Sequence, residues 1–306
     1  GCTFTQRQAQ VPCTKTWVGG VLLDPNGWQN AANWSPGILL PTSTDDVCIN
    51  SGPTVILNGS GSAKTVTVGA GQTLIVQGSG VGHGQLTAAT GFTNAGVINL
   101  DSVVSGWSAS LVVTSGVLTN TGTINANAGT GGGRSIPAAV NNQGTININA
   151  PTDITKGSVA HTNSGTINIA GANLTLNQSG VPGSFTNTGT INVGAGRTFA
   201  INGGTFTQNA TGNMTGLGSV TFSGVTFNWN SGTVPTPASH LMGASTLNIG
   251  AAATSAADFT FRGGNNLSGN VSVGQTLNVQ GSGVGHGPLT AATGFTNAGV
   301  INLDSV

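Results

Sequence analysis

Six times in 306 residues the chain repeats one nine-residue phrase, and that repetition leaves it few folds. The copies are Phe92–Leu100 (FTNAGVINL), Leu118–Ala126 (LTNTGTINA), Val140–Ile148 (VNNQGTINI), His161–Ile169 (HTNSGTINI), Phe185–Val193 (FTNTGTINV) and Phe295–Leu303 (FTNAGVINL). The glycines of the first five, Gly96, Gly122, Gly144, Gly165 and Gly189, are separated by 26, 22, 21 and 24 residues. A short period carried by β-branched residues and punctuated by Gly and Asn predicts coils stacked on one another.

Side chains alternate between the two faces of a strand. In each phrase the apolar first residue and the Asn at the third position therefore point the same way. After the Gly turn, Ile and the final apolar residue point inward, while Thr and the second Asn point out. The expected fold is all-β, a right-handed parallel β-helix (β-solenoid) with coils of 21–26 residues. Its hand follows the general preference of parallel crossovers. Stacking in register places Asn94, Asn120, Asn142, Asn163, Asn187 and Asn297 in one column. Buried amides need partners, and a column of them supplies a donor and an acceptor at every level, as in cross-β stacks.

Composition agrees with strand and narrows the partners. Only 5% of residues are charged, Gly occupies 51 positions, and neither Glu nor Tyr occurs. Thr, Val, Ile and Asn dominate where helix formers would be needed. The formal net charge is zero, which disfavours nucleic acid and anionic membrane as partners. No apolar run is long enough to span a bilayer. A nearly uncharged surface of Thr, Asn and Ser suits an assembled or surface-attached material.

Residues 1–50 read as a cap segment and 51–306 as the solenoid proper. The first segment holds Trp17, Trp28 and Trp34 and all three cysteines, Cys2, Cys13 and Cys48. Trp side chains could close the open end of a coil stack, where unpaired strand edges invite aggregation. The competing reading makes the three Trp a platform for stacking sugars. In an extracellular chain one disulfide is expected, Cys13–Cys48 or Cys2–Cys13, with one thiol left over. If Gly1-Cys2 is the remnant of a lipoprotein site, Cys2 carries lipid.

Three stretches of this segment, Thr16–Gly20 (TWVGG), Trp28–Gly37 (WQNAANWSPG) and Pro41–Ile49 (PTSTDDVCI), resemble the start of large secreted bacterial β-solenoid proteins. The resemblance extends over the Thr-Asn-Thr-Gly-Thr-Ile-Asn repeats. It implies an extracellular or cell-surface chain of the filamentous-haemagglutinin or autotransporter-passenger kind, adhesive or structural. It names an architecture and a place, not a ligand.

A longer repeat overlies the coils. Thr276–Val306 copies Thr73–Val103, differing only at Ile75/Asn278 and Gln85/Pro288. Because the copy is still running at Val306, we expect a piece of a longer protein or one subunit of an end-to-end stack.

Chemistry is sparsely provided for. Glycosidic cleavage needs a proton donor and a base or nucleophile converging on one bond. Asp24, Asp45, Asp46, Asp101, Asp153, Asp258 and Asp304 are scattered, and only Asp45 and Asp46 adjoin. The four histidines form no metal-ligand pair, and the loop Gly80–Gly84 around His83 has no following helix to make it a phosphate cradle. No catalytic, cofactor or metal residues are expected. The feature with functional reach is an outward face: Thr123, Asn125, Thr145, Asn147, Thr166, Asn168, Thr190 and Asn192, in two columns. Ice-binding solenoids display Thr in such lattices, although Thr-x-Asn departs from their Thr-x-Thr. Thr and Asn also favour exposed strands without any ligand. The expectation is a non-enzymatic extracellular structural or adhesive β-solenoid, with a glycan- or ice-binding module as the alternative.

Overall fold

The structure, a computed structural model, describes residues 12–281 and 287–305. Cys2, His286 and Val306 lie outside them. The chain winds into a β-solenoid of about 12 turns. Three sheets run along the stack. The first has fourteen strands, from Trp34–Ser35 to Leu289–Ala291; the second has eight, from Val55–Asn58 to Asn213–Gly216; the third has twelve, from Ser60–Ala63 to Val300–Ser305. One coil shows the path. Phe92–Asn94 lies in the first sheet, Val97–Ser102 in the second and Ala109–Val113 in the third, and Val117–Asn120 returns to the first. The nine-residue phrase is thus the corner between the first two sheets.

Pairing between coils is parallel and residue for residue: Ile98, Ile124, Ile146, Ile167 and Ile191 are successive partners and all are buried. Beyond the first pairing, where Lys15 meets Val47 32 residues on, offsets between partners run from 18 residues (Ser135 to Asp153) to 26 (Thr93 to Thr119), wider than the 21–26 expected. The variation is absorbed by the loops, since the strands keep their register.

The corner glycines are required by close approach rather than by backbone twist, because none of the five has a positive φ. A Cβ on Gly122 would stand 2.1 Å from the carbonyl oxygen of Gly96, and one on Gly144 or Gly165 would meet the glycine below at the same distance. That oxygen accepts the N–H of the next coil's Thr, as in Thr123 N–H to Gly96 O at 2.9 Å. Each corner therefore sits directly on the previous one, with no room for a side chain.

At the N-terminal end the strand Lys15–Trp17 pairs in parallel with Asp46–Ile49, and Trp34–Ser35 closes the sheet antiparallel to it. The outermost strand is two residues long and runs into Pro36, which cannot donate to a further strand. Trp17, Trp28 and Trp34 are at most 1% exposed and pack edge to face, with ring centroids 5.0 and 4.7 Å apart. Their burial removes them as a sugar-stacking platform. The Trp17 and Trp34 indole N–H groups donate to the carbonyls of Pro53 and Trp28. Cys13 is bonded to Cys48, ahead of the alternative pairing with Cys2. Asp46–Ile49 already pairs with Thr65–Val68, so regular coils begin inside the segment read as a cap.

The second sheet ends at Gly216, and from there each coil crosses only two sheets. Its last edge, Asn213–Gly216, is closed by Thr233. The Thr233 carbonyl accepts from Met214 N–H at 2.9 Å, and its hydroxyl donates to Met214 O at 3.0 Å. The core changes with the geometry. Phe185, Phe206 and Phe227 stack in register, and Phe222, Phe259 and Trp229 fill the space beside them.

The dropped sheet changes where the long repeat falls. Thr73–Gly78 and Val97–Ser102 belong to the second sheet, whereas their copies, within Gln275–Gly281 and Val300–Ser305, belong to the third. Internal register survives the move: Val97 pairs with Thr73, and Val300 with Thr276. Burial survives it where a further coil follows: Leu74 and its copy Leu277 are both 0% exposed, and only on the last described strand does a copy, Leu303, stand open where Leu100 is buried.

Candidate functional site

The inward amides form a continuous column. The Asn94 side-chain N–H donates to Asn120 Oδ1 at 2.8 Å, Asn120 to Asn142 at 2.8 Å, Asn142 to Asn163 at 2.7 Å, and Asn163 to Asn187 at 2.8 Å. All five are 0% exposed. Each donor also reaches a carbonyl of the next coil, as Asn120 Nδ2 does to Thr145 O at 3.0 Å. The backbone oxygen of each Asn from Asn94 to Asn163 in turn accepts two N–H groups from the coil above; Asn120 O receives Gln143 and Gly144, both at 2.8 Å. The column begins at Val68, where Asn94 Oδ1 is left without a partner, and passes at its far end to Gln208. Asn297 is not part of it. It is exposed, bridges only to Val271, and turns its Oδ1 to Gly299 N–H.

The outward residues lie in register on the second sheet: Thr123, Thr145, Thr166 and Thr190 in one column, and Asn125, Asn147, Asn168 and Asn192 in the next. The two columns differ chemically. Asn147 donates to Asn125 and Asn168 to Asn147, at 2.8 and 2.9 Å, so these amides largely satisfy one another. The four Thr hydroxyls make no hydrogen bond among the described residues.

The carboxylates do not converge. Asp46 accepts from Lys64 and Thr65, at 3.1 and 3.0 Å. Asp45 accepts from Thr14 and Thr42; burial pushes its carboxyl up, but these bonds outweigh that and hold it below its ordinary value. Asp258 accepts from Asn278 and Asp101 from Asn127. Among the described residues no three His, Cys, Asp or Glu side chains gather as metal ligands.

Three buried cationic or titratable groups carry structure that sequence reasoning missed. Arg134 is 1% exposed and donates to the carbonyls of Leu100, Ala128, Gly131, Gly132 and Gly133, fastening the glycine-rich loop 128–133 to the coil below. His161 and His240 repeat one arrangement. Nδ1 of each accepts a valine N–H from the preceding coil, Val140 at 3.2 Å and Val220 at 3.1 Å. Nε2 of each faces the carbonyl five residues upstream, Lys156 at 3.0 Å and Pro235 at 2.8 Å. Only the neutral Nε2–H ring satisfies both bonds. Repetition of the bond pattern, rather than any motif, is what marks these two residues.

Compared with family models, curated proteins and solved structures, the chain matches none. The architecture expected from the resemblance is present, and its geometry carries the functional argument.

Two outcomes follow. Asn142→Ala removes the acceptor of Asn120 and the donor to Asn163 and leaves a buried void; unfolding in denaturant should show a loss of about 2–4 kcal/mol. The outward control Asn147→Ala should lose less than about 1 kcal/mol. Burial lowers both histidines from the ordinary 6.5; the hydrogen bonds to the carbonyls of Lys156 and Pro235 partly oppose the shift, the Lys156 charge adds to it at His161, and Asp258 opposes it at His240. Below that value the unfolded chain takes up protons the folded chain refuses, so stability is full above pH 6.5 and falls as the pH drops beneath it. The loss by one unit lower is up to about 1.4 kcal/mol per histidine. Thermal unfolding from pH 7.5 to 5.5 measures this, and the His161→Gln, His240→Gln double variant should flatten the slope.

Proposed function

We propose that the chain is a non-enzymatic structural or adhesive rod that works outside the cell. The carrying observation is the unbroken column from Asn94 to Asn187, in which side chain and backbone bond every coil to the next along one direction. Such a lattice resists local opening, because no coil can leave without orphaning amides above and below it. The Cys13–Cys48 bond supports an oxidising compartment. The dispersal of the carboxylates among cap and coil hydrogen bonds supports a role without bond cleavage.

Self-association is part of the proposal. Leu267, Val279, Leu289, Phe295, Ile301 and Leu303 line an apolar hollow at the end opposite the Trp cap, a surface suited to receiving a further coil of this or another chain. Electron microscopy of the purified chain tests it: rods of uniform width that join end to end are expected, and isolated globules overturn the reading.

One observation favours a second reading. The four free Thr hydroxyls in register are what an ice-binding face would present. Thermal hysteresis that disappears in a Thr145→Val, Thr166→Val variant would support it, and none at high concentration would eliminate it.

A further inference from the structure

Of the five tryptophans, Trp17, Trp28, Trp34 and Trp229 are at most 1% exposed, and Trp107 alone is partly open to solvent. It stands on a loop at the corner between the second and third sheets, against the loop of the coil below. His83 meets its ring edge to face, with centroids 4.7 Å apart and planes at 85°. The imidazole is fixed: Nδ1 accepts the N–H of Ser108 at 3.0 Å and faces the Ser108 hydroxyl at 2.8 Å. Accepting a backbone N–H there leaves the ring proton on Nε2, which has no partner among the described residues. Among the described residues the Trp107 indole N–H has none either, nor has that of the buried Trp28, whereas those of Trp17, Trp34 and Trp229 reach carbonyls.

The platform is held rigidly. A Cβ on Gly78 would lie 2.9 Å from Trp107 Cβ, and one on Gly132 would lie 2.0 Å from the Trp107 carbonyl oxygen. Arg134 clamps the loop above. On its other side the His83 loop borders an open groove of about 450 Å³ through Val81, whose remaining walls include Asp24, Gln29, Asn58 and Ser60. The Asp24 carboxylate has no hydrogen-bond partner among the described residues.

The geometry points to a binding site for a neutral polysaccharide, running from the groove at Asp24 across His83 to Trp107. Sugar rings offer apolar C–H faces to an aromatic plane and hydroxyls that both give and take hydrogen bonds. Here the Trp107 face takes the ring, the indole and His83 N–H groups donate to hydroxyl oxygens, and the Asp24 carboxylate and the Ser60 hydroxyl accept or exchange hydroxyl protons. The site has one exposed carboxylate and no exposed cation, which disfavours anionic glycans. It is separate from the outward Thr/Asn columns and deepens the adhesive half of the function proposed above, on which it rests.

The test uses the intact chain with soluble oligosaccharides of glucose, N-acetylglucosamine and mannose. Binding is read by titration calorimetry and by acrylamide quenching, to which Trp107 should be the main responding tryptophan. One sugar class should bind and shield Trp107. Trp107→Ala should weaken that binding at least about tenfold, Trp107→Phe should keep most of it, and Asp24→Asn should weaken it less. The outward variant Thr145→Ala, Asn147→Ala should bind as the parent does. If no class shields Trp107, or Trp107→Ala binds unchanged, the site is refuted. Binding lost only in the outward variant would move adhesion to that face and leave the rod reading standing. Rods that bind none of the sugars would sink the site without touching assembly.

Discussion

From Gly96 to Gly189 each coil rests its corner on the bare glycine carbonyl of the coil beneath. The contact admits only glycine: the 2.1 Å separation that a Cβ would face between Gly144 and Gly122 is impassable. Once the corners touch, the positions of the neighbouring residues are fixed. The Thr N–H finds the glycine oxygen, the Asn side chain lies over the Asn below, and the Ile following it enters the core. Strand spacing, amide column and apolar stack are thus three results of one close approach, which explains why Gly, Asn and Ile recur together.

The two Asn columns run with opposite polarity. Inside, each amide donates to the next coil, as Asn120 does to Asn142; outside, each donates to the previous one, as Asn147 does to Asn125. Aligned side-chain dipoles that would add along one column are offset by the other. The inner column is the costly one to break, since its members are sealed from water and cannot trade a lost partner for solvent.

Much of this could be read in the chain itself, because repetition turns a local pattern into a spatial one. The corner, its inward Asn and outward Thr follow from strand alternation and period alone. Four features did not. Asn297 carries the same letters as Asn94 and bridges to Val271 as Asn94 pairs with Val68, but it is exposed in the last described coil, a difference that the phrase does not state. The end of the second sheet at Gly216 depends on Thr233 reaching Met214, a contact between positions with no shared motif. His161 and His240 replace apolar or strand residues in unrelated contexts, and their kinship appears only as matching hydrogen bonds. Trp107 stands in a loop outside the repeated phrase, and only its exposure separates it from the buried cap tryptophans.

The long repeat and the lost second sheet together have an evolutionary consequence. Asn99 and Asn302 are the same residue of the same copied block, yet one faces out from the second sheet and the other from the third. Duplicating such a block lengthens the shaft while turning its decoration about the axis, as a stripe winds round a barber's pole. A lineage under pressure to build a one-sided array would have to copy only segments that close on whole three-sheet turns. A lineage that gains from presenting the same chemistry in several directions could keep this one.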